Sequence, residues 1–164
     1  MPASQEQLFQ RLEELQVNAN TTTHPAVFTV EQARALRGNI PGGHCKNLFL
    51  KDKKGQLWLL VCLEDASVDM KSLPSKIGAA RISFGKPDLL MQVLGVEPGS
   101  VTPFALINDT DRQVNVVLDA NMMACELVSY HPLTNTATTT LSPDDLLKFI
   151  RSCGHHPEIV NLSD

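Results

Sequence analysis

Aromatic side chains are scarce in this sequence, which holds one tryptophan, one tyrosine and six phenylalanines in 164 residues. The core must therefore be built from Val, Leu, Ile and Ala. No apolar run approaches the roughly 20 residues that span a bilayer, so no membrane segment is expected. The opening residues Met1 to Glu6 carry neither a basic start nor an apolar stretch, and their acidic character argues against a transit peptide, so a cytoplasmic location is expected. Cys45, Cys62, Cys125 and Cys153 form no C-x-x-C pair, which removes the common zinc and dithiol redox sites and leaves free, buried thiols as the expectation. There is no Gly-x-Ser-x-Gly elbow, no Ser-x-x-Lys and no His-Glu-x-x-His, so the familiar nucleophilic and metal-dependent hydrolases are excluded on motif grounds. No cofactor or metal is expected. Lysine and arginine (14) are outnumbered by aspartate and glutamate (18), giving a formal net charge of -4. That balance speaks against general nucleic-acid binding, DNA included, which rests on neutralising phosphates. With no linker, repeat or low-complexity segment, residues 1–164 read as a single domain.

Helix and strand signals are interspersed along the chain. Ser4 with Gln7 makes a capping box ahead of Leu8, Phe9, Leu12 and Leu15 at helical spacing, predicting a first amphipathic helix that ends near Asn18 to Asn20. Thr29 with Gln32 repeats the device before a shorter helix closed by Gly38. Leu48 to Leu50 and Leu57 to Leu63 flank the charged turn Lys51-Asp52-Lys53-Lys54-Gly55 and predict a hairpin whose second strand is buried on both faces. Leu73 to Phe84, interrupted by Pro74 and Gly78, is expected to form short helical pieces joined by loop. Pro87 opens a helix that Gly95 closes. Val96 to Gly99 is then a turn. Strands are expected at Phe104 to Ile107, Val114 to Leu118, Leu127 to Tyr130 and Thr136 to Leu141. Ser142-Pro143 starts a helix that Gly154 ends, and Ile159 to Leu162 adds a final strand. The order is not a regular βαβ series, so the expected fold is one mixed α/β (α+β) domain around a largely antiparallel sheet.

Three segments carry polar or backbone-permissive residues that a plain core would not demand: Gly42 to Asn47, Gly99 to Pro103, and His131 to Thr136. Each abuts a predicted strand, and a loop held between a glycine and a proline can aim successive amides at one carbonyl or oxyanion. Cys45 next to His44 is a poor nucleophile–base pair, because neighbours on an extended chain point to opposite sides. His155-His156 lacks a third metal ligand and reads as surface. His131, taken alone, reads as a structural hydrogen-bonding histidine. Lys46, Lys51, Lys53 and Lys54 form one basic group, and Lys71, Lys76, Arg81 and Lys86 a second.

Together the three segments resemble the prolyl-tRNA synthetase-associated editing domain family, the YbaK and ProX type of aminoacyl-tRNA deacylases. The likeness is carried by Gly42 to Asp52, by Gly95 to Asn108 with Gly99-Ser100-Val101-Thr102-Pro103-Phe104 inside it, and by His131 to Thr138. The branch that it resembles most is the free-standing alanyl-tRNA(Pro) deacylases. The resemblance implies a sheet curled into a barrel-like core with helices outside, and hydrolysis of the ester joining a wrong amino acid to the 3′-terminal ribose of tRNA. By the same resemblance Lys46 engages the terminal phosphate or ribose, Asn47 shapes the substrate site, Gly99, Ser100, Val101, Thr102 and Pro103 present backbone groups to the aminoacyl moiety, and His131 lines the side-chain pocket. Water is positioned by substrate and backbone, consistent with the missing triad. A synthetase pocket shaped for proline rejects a smaller amino acid by only about 1 to 3 kcal/mol per methylene, and a second site too small for proline removes the error. Ile40, Leu48, Ile82, Phe84 and Phe104 are candidates for setting its volume. The implied partners are the acceptor end of tRNA(Pro), touched by the basic groups, and prolyl-tRNA synthetase. Cysteine or serine as the amino acid removed, and a non-catalytic tRNA- or synthetase-binding module, stay open as alternatives.

Overall fold

The computed structural model describes residues 2–25 and 43–162. The expected helix from Thr29 to Gly38 lies outside them, as does Ile40. Helix α1 (Gln5–Glu14) starts as its capping box dictates, with Ser4 Oγ accepting from Gln7 N and Gln7 Oε1 accepting from Ser4 N. It stops at Leu15, several residues earlier than expected, where Gln16 turns to a positive φ of 60°. The remaining helices are α2 (Leu73–Ile77), α3 (Pro87–Leu94), the single turn α4 (Ala120–Met123) and α5 (Pro143–Ser152). Gly95 closes α3 at φ 68°, a left-handed position that suits glycine.

Eight strands are described: β1 (Asn20–Thr23), β2 (Gly43–Asp52), β3 (Leu57–Leu63), β4 (Ile82–Phe84), β5 (Val114–Asp119), β6 (Val128–Tyr130), β7 (Ala137–Leu141) and β8 (Glu158–Val160). They form one sheet in the order β1-β7-β6-β2-β3-β5-β8, with β4 also paired to β2. The β1–β7, β6–β7, β2–β3 and β2–β4 pairs are antiparallel, and β2–β6, β3–β5 and β5–β8 are parallel. The fold is thus a mixed α/β domain, as the interspersed signals imply.

Strand alternation divides the core in two. Phe49, Leu59, Val61, Val116 and Leu118 face the thicker layer, where α1, α3, α4, α5 and the segment around Phe104 pack. Leu48, Leu50, Leu60, Cys62 and Val117 face the other way, where α2 supplies Leu73 and Ile77. β3 is covered on both sides, as its unbroken apolar run requires. Each fully buried leucine contributes about 2 kcal/mol.

Two expectations fail, for local reasons. Phe104 to Ile107 is a 3-10 helix spanning Pro103–Asn108, because Thr102 Oγ1 caps Phe104 N and Pro103 presets the first turn. The second half of the Leu73 to Phe84 stretch is strand β4, which exists by pairing Phe84 with Leu50 and Ile82 with Asp52. The hairpin turn is fixed by Asp52, whose carboxylate accepts from Lys54 N, Gln56 N, Trp58 Nε1 and Ala80 N at 2.9 to 3.3 Å. Burial pushes this carboxyl up, but the donors outweigh it and hold it below the ordinary value.

Candidate functional site

Lys46 and Asn47 are consecutive on β2 and therefore project to opposite faces. Lys46 shares the face of Leu48 and Leu50, and its Nζ donates to the Ala66 carbonyl at 2.7 Å. A lysine ammonium has three donors, so others remain. Asn47 is on the face of Phe49, with its Oδ1 buried and lacking a hydrogen-bond partner.

The register of the parallel β2–β6 pair is Gly43 to Val128 and His44 to Ser129. The pairing ends there; Lys46 lies two residues further along β2 and His131 two residues further along the chain from Ser129, both on one face of the sheet by strand alternation. The β6–β7 register, Ser129 to Thr140 and Tyr130 to Thr139, carries the row on to Thr138. There His24, just beyond β1, places Nε2 2.8 Å from Thr138 Oγ1, and its ring centroid lies 6.2 Å from that of His131. On the other side of β2, Lys46 pairs with Cys62, and the β3–β5 register continues from Cys62 to Asp119. Asp119 is fully buried, accepts from Leu162 N through Oδ1, and leaves Oδ2 without a hydrogen-bond partner. His24, Thr138, His131, Lys46, Cys62 and Asp119 thus form one polar row on a single sheet face, drawn from the six neighbouring strands β1, β7, β6, β2, β3 and β5.

His131 Nδ1 lies 2.9 Å from the Ala137 carbonyl, which can only accept, so Nδ1 carries the proton and Nε2 of the neutral ring is an acceptor. Burial lowers its basicity, the Ala137 bond raises it, and the neighbouring His24 lowers it again; the net shift is below the ordinary value of 6.5. His131 is therefore both hydrogen-bonded to the backbone and part of the row. His24 was not singled out by sequence; the signal was there in Thr21-Thr22-Thr23, a β-branched strand, ending in the same His-Pro step that ends β6.

Between its pairings with β6 at Gly43–His44 and β4 at Leu50–Asp52, the edge of β2 away from β3 meets no strand among the described residues. Lys46 and Asn47 flank that open edge from its two faces. The Gly99 to Pro103 loop is brought to the His131 to Thr136 loop, where a Cβ on Gly99 would meet Asn135 Nδ2 at an ordinary 3.8 Å. Gly99 is exposed, Ser100 and Val101 are half-buried, and Thr102 and Pro103 are buried. Neither backbone conformation nor packing thus obliges position 99 to be glycine among the described residues.

The proposed volume-setting residues do not converge. Phe104 is a core residue, edge-on to Tyr130 and Phe149. Leu48 and Ile82 pack in the α2 cluster, and Phe84 is 63% exposed. Cys45 turns from His44 into the core, where burial, against a hydrogen bond with Tyr130, pushes its thiol up to about 12, so it is not a thiolate at neutral pH. None of the four cysteines forms a disulfide. His155 corrects its surface reading: it is buried, with Nε2 2.8 Å from Asp109 Oδ2, because α5 ends at Cys153 and Gly154 turns the chain inward at φ 87°. No group of three or more metal-ligating side chains occurs among the described residues, and no described helix is long and apolar enough to cross a membrane.

The family model for the aminoacyl-tRNA editing domain matches residues 24–149, a span that runs from His24 through Lys46, Gly99 and His131. The Bos taurus protein "Prolyl-tRNA synthetase associated domain-containing protein 1" is 39% identical over 159 residues, covering 94% of this chain and 92% of its own. The prolyl-tRNA editing protein ProX of Acetoanaerobium sticklandii is 36% identical over 153 residues, covering 93% of each chain. A solved crystal structure of a hypothetical protein shares the fold with a TM-score of 0.73 at 19% identity, over 93% of this chain and 97% of the other. With most of its length and all of its polar row inside these matches, the chain belongs to the aminoacyl-tRNA editing domain family.

Proposed function

We propose that this protein hydrolyses the ester between a wrongly attached small amino acid, alanine first among them, and the 3′-terminal ribose of tRNA(Pro), sparing Pro-tRNA(Pro). The observation that supports this reading is the β2–β6 pairing, beyond which Lys46 and His131 continue on one face of the sheet, beside an edge of β2 that no described strand occupies. The remaining Lys46 donors meet the negative charge of the terminal nucleotide or the ester oxygen, an interaction of about 3 to 4 kcal/mol when it is made in the transition state. His131 Nε2 accepts from the substrate's amino or hydroxyl group while the Ala137 carbonyl fixes the ring. The bare Cα of Gly99 leaves room for an aminoacyl group next to the loop's backbone. An unpaired buried acceptor costs about 1 to 3 kcal/mol, and Asn47 Oδ1 recovers that cost when a substrate donor reaches the edge of β2. Attack is by water, and Cys45, protonated and facing the core, takes no part. The likeness to ProX, a protein named for prolyl-tRNA editing that the chain matches over 93% of each length, supports editing in trans. On this reading the protein works in the cytoplasm, where the translation machinery supplies its substrate.

The test is release of labelled amino acid from tRNA(Pro) charged separately with alanine, cysteine, serine and proline, using the intact protein and Lys46→Ala. Alanine release that spares proline and depends on Lys46 is expected. Faster release of cysteine or serine would reassign the amino acid. No release from any of the four, with tRNA still bound, would leave a binding module in its place.

A further inference from the structure

The most exposed large apolar side chain among the described residues is Phe84, at 63%. It does not belong to the core, although its strand neighbour at the same face, Ile82, packs into the α2 cluster. Around it lies a groove of about 830 Å³ lined by Lys51, Lys53, Arg81 and Lys86. Two carboxylates also line this groove. Asp52 is buried and taken up by four donors, so Asp88 alone is exposed against four cations. A chain of net charge -4 therefore gathers positive charge at one place, around its most exposed ring. Proteins that hold single-stranded nucleic acid combine these two features, a basic track for phosphates and an aromatic face for an unpaired base. A duplex offers phosphates but no free base face.

The register relates this groove to the polar row. Phe84 is abreast of Leu50, and paired residues share a face, so Phe84 lies on the same face of β2 as Lys46. Four residues of strand separate them, a span of about 13 Å. A stacked single strand advancing about 3.4 Å per nucleotide covers that distance in about four steps. Between the two points runs the edge of β2 that no described strand occupies.

Resting on the editing reading, we propose that the groove beside β4 holds the unpaired 3′ strand of the tRNA acceptor end, with Phe84 stacking on one of its bases and Lys51, Lys53, Arg81 and Lys86 on its phosphates. The 3′ tail then runs along the open edge of β2 from Phe84 to Lys46, and the ester arrives at the polar row. Stacking tolerates any base, so Phe84 contributes affinity and registers the distance to the ester without reading tRNA identity.

The experiment measures, by fluorescence anisotropy, binding of an uncharged acceptor-stem minihelix with its unpaired 3′ tail and of the same RNA trimmed to a blunt end. The expected result is that Phe84→Ala weakens binding of the tailed RNA about 5- to 100-fold, the range of base–aromatic stacking. Phe84→Trp keeps it, and the trimmed RNA binds wild type and Phe84→Ala alike. Lys86→Glu is expected to weaken binding of the tailed RNA and to reduce its salt slope by about 1, with the trimmed RNA little changed. Equal tailed-RNA affinity in wild type and Phe84→Ala overturns the proposal, as does equal loss of tailed and trimmed RNA. A change of oligomeric state in Phe84→Ala with RNA binding unaltered also overturns it, in favour of a contact between copies. Uncharged RNA needs no hydrolysis, so tail-dependent binding by a wild-type protein that deacylates nothing would refute the editing reading alone. Deacylation that survives in Phe84→Ala with unchanged RNA affinity would refute this proposal alone.

Discussion

His155 and His131 occupy opposite chemical settings in one fold. His155 is buried against the Asp109 carboxylate, which also accepts from Gln113 N and Val114 N, so the pair ties the end of α5 to the start of β5. His131 bonds Nδ1 to the Ala137 carbonyl, and its ring centroid lies 6.2 Å from that of His24. The first histidine joins a knot of bonds on the Asp109 carboxylate through Nε2 while its own buried Nδ1 lacks a hydrogen-bond partner, and the second meets a neutral carbonyl through Nδ1. What separates the two histidines is the partner: a carboxylate that ties two elements together for His155, a backbone carbonyl beside a second imidazole ring for His131.

The largest effect that sharpens this contrast is expected at the knot. Asp109→Ala leaves His155 and two amides without their acceptor and should cost about 3 to 5 kcal/mol, lowering Tm by about 10 °C in a thermal melt. Burial pushes Asp109 up, but the bonds from His155, Gln113 and Val114 hold it below the ordinary 3.8. A depressed carboxyl stabilises the fold above its unfolded value, and that contribution is lost as pH falls through the folded value. Asp109→Asn should therefore flatten the loss of stability below pH 3.8 in acid melts. Next comes Lys46→Ala, which should reduce deacylation about 10²- to 10³-fold while Tm changes by no more than about 3 °C; a collapse of Tm would make Lys46 part of a knot as well. Smaller again is the pH dependence set by His131. Its neutral form persists below pH 6.5, so the acid limb of kcat/KM should lie below that value and vanish in His131→Gln. The smallest effect is expected for His24→Ala: removing this neighbour should raise the acid limb toward 6.5 and change kcat/KM less than about tenfold. An unmoved limb would separate His24 from the site.

Locally encoded features were legible in the sequence. The capping box at Ser4, the proline and glycine bounds of α3, the Ser142 cap and the two-sided burial of β3 each depend on neighbours a few residues away, and each appears where its signal stands. The apolar stretch after Pro103 was misread because a short buried run suits a strand or a helix equally, and only the Thr102 cap decides it. β4 escaped because three residues become a strand only against Leu50 to Asp52. The site was half legible: the segments around Lys46, Gly99 and His131 stood out, but the order of strands did not. Lys46 and His131 are 85 positions apart and share a sheet face because β2 pairs with β6, which no local pattern encodes; His24 reaches that face through the antiparallel β1–β7 pair and Asp119 through the parallel β3–β5 pair.

Gly85 follows Phe84 at the point where β4 leaves β2, and a Cβ there would collide with the Phe49 ring. Its neighbours Ser83, Phe84 and Lys86 are exposed and free to vary in size. In a saturation scan read by folding stability, the β4 edge should therefore show a single intolerant column at Gly85 inside a permissive stretch. That column would report the seating of the strand on the core, so its variants should lose RNA binding and deacylation together, whatever the side chain introduced.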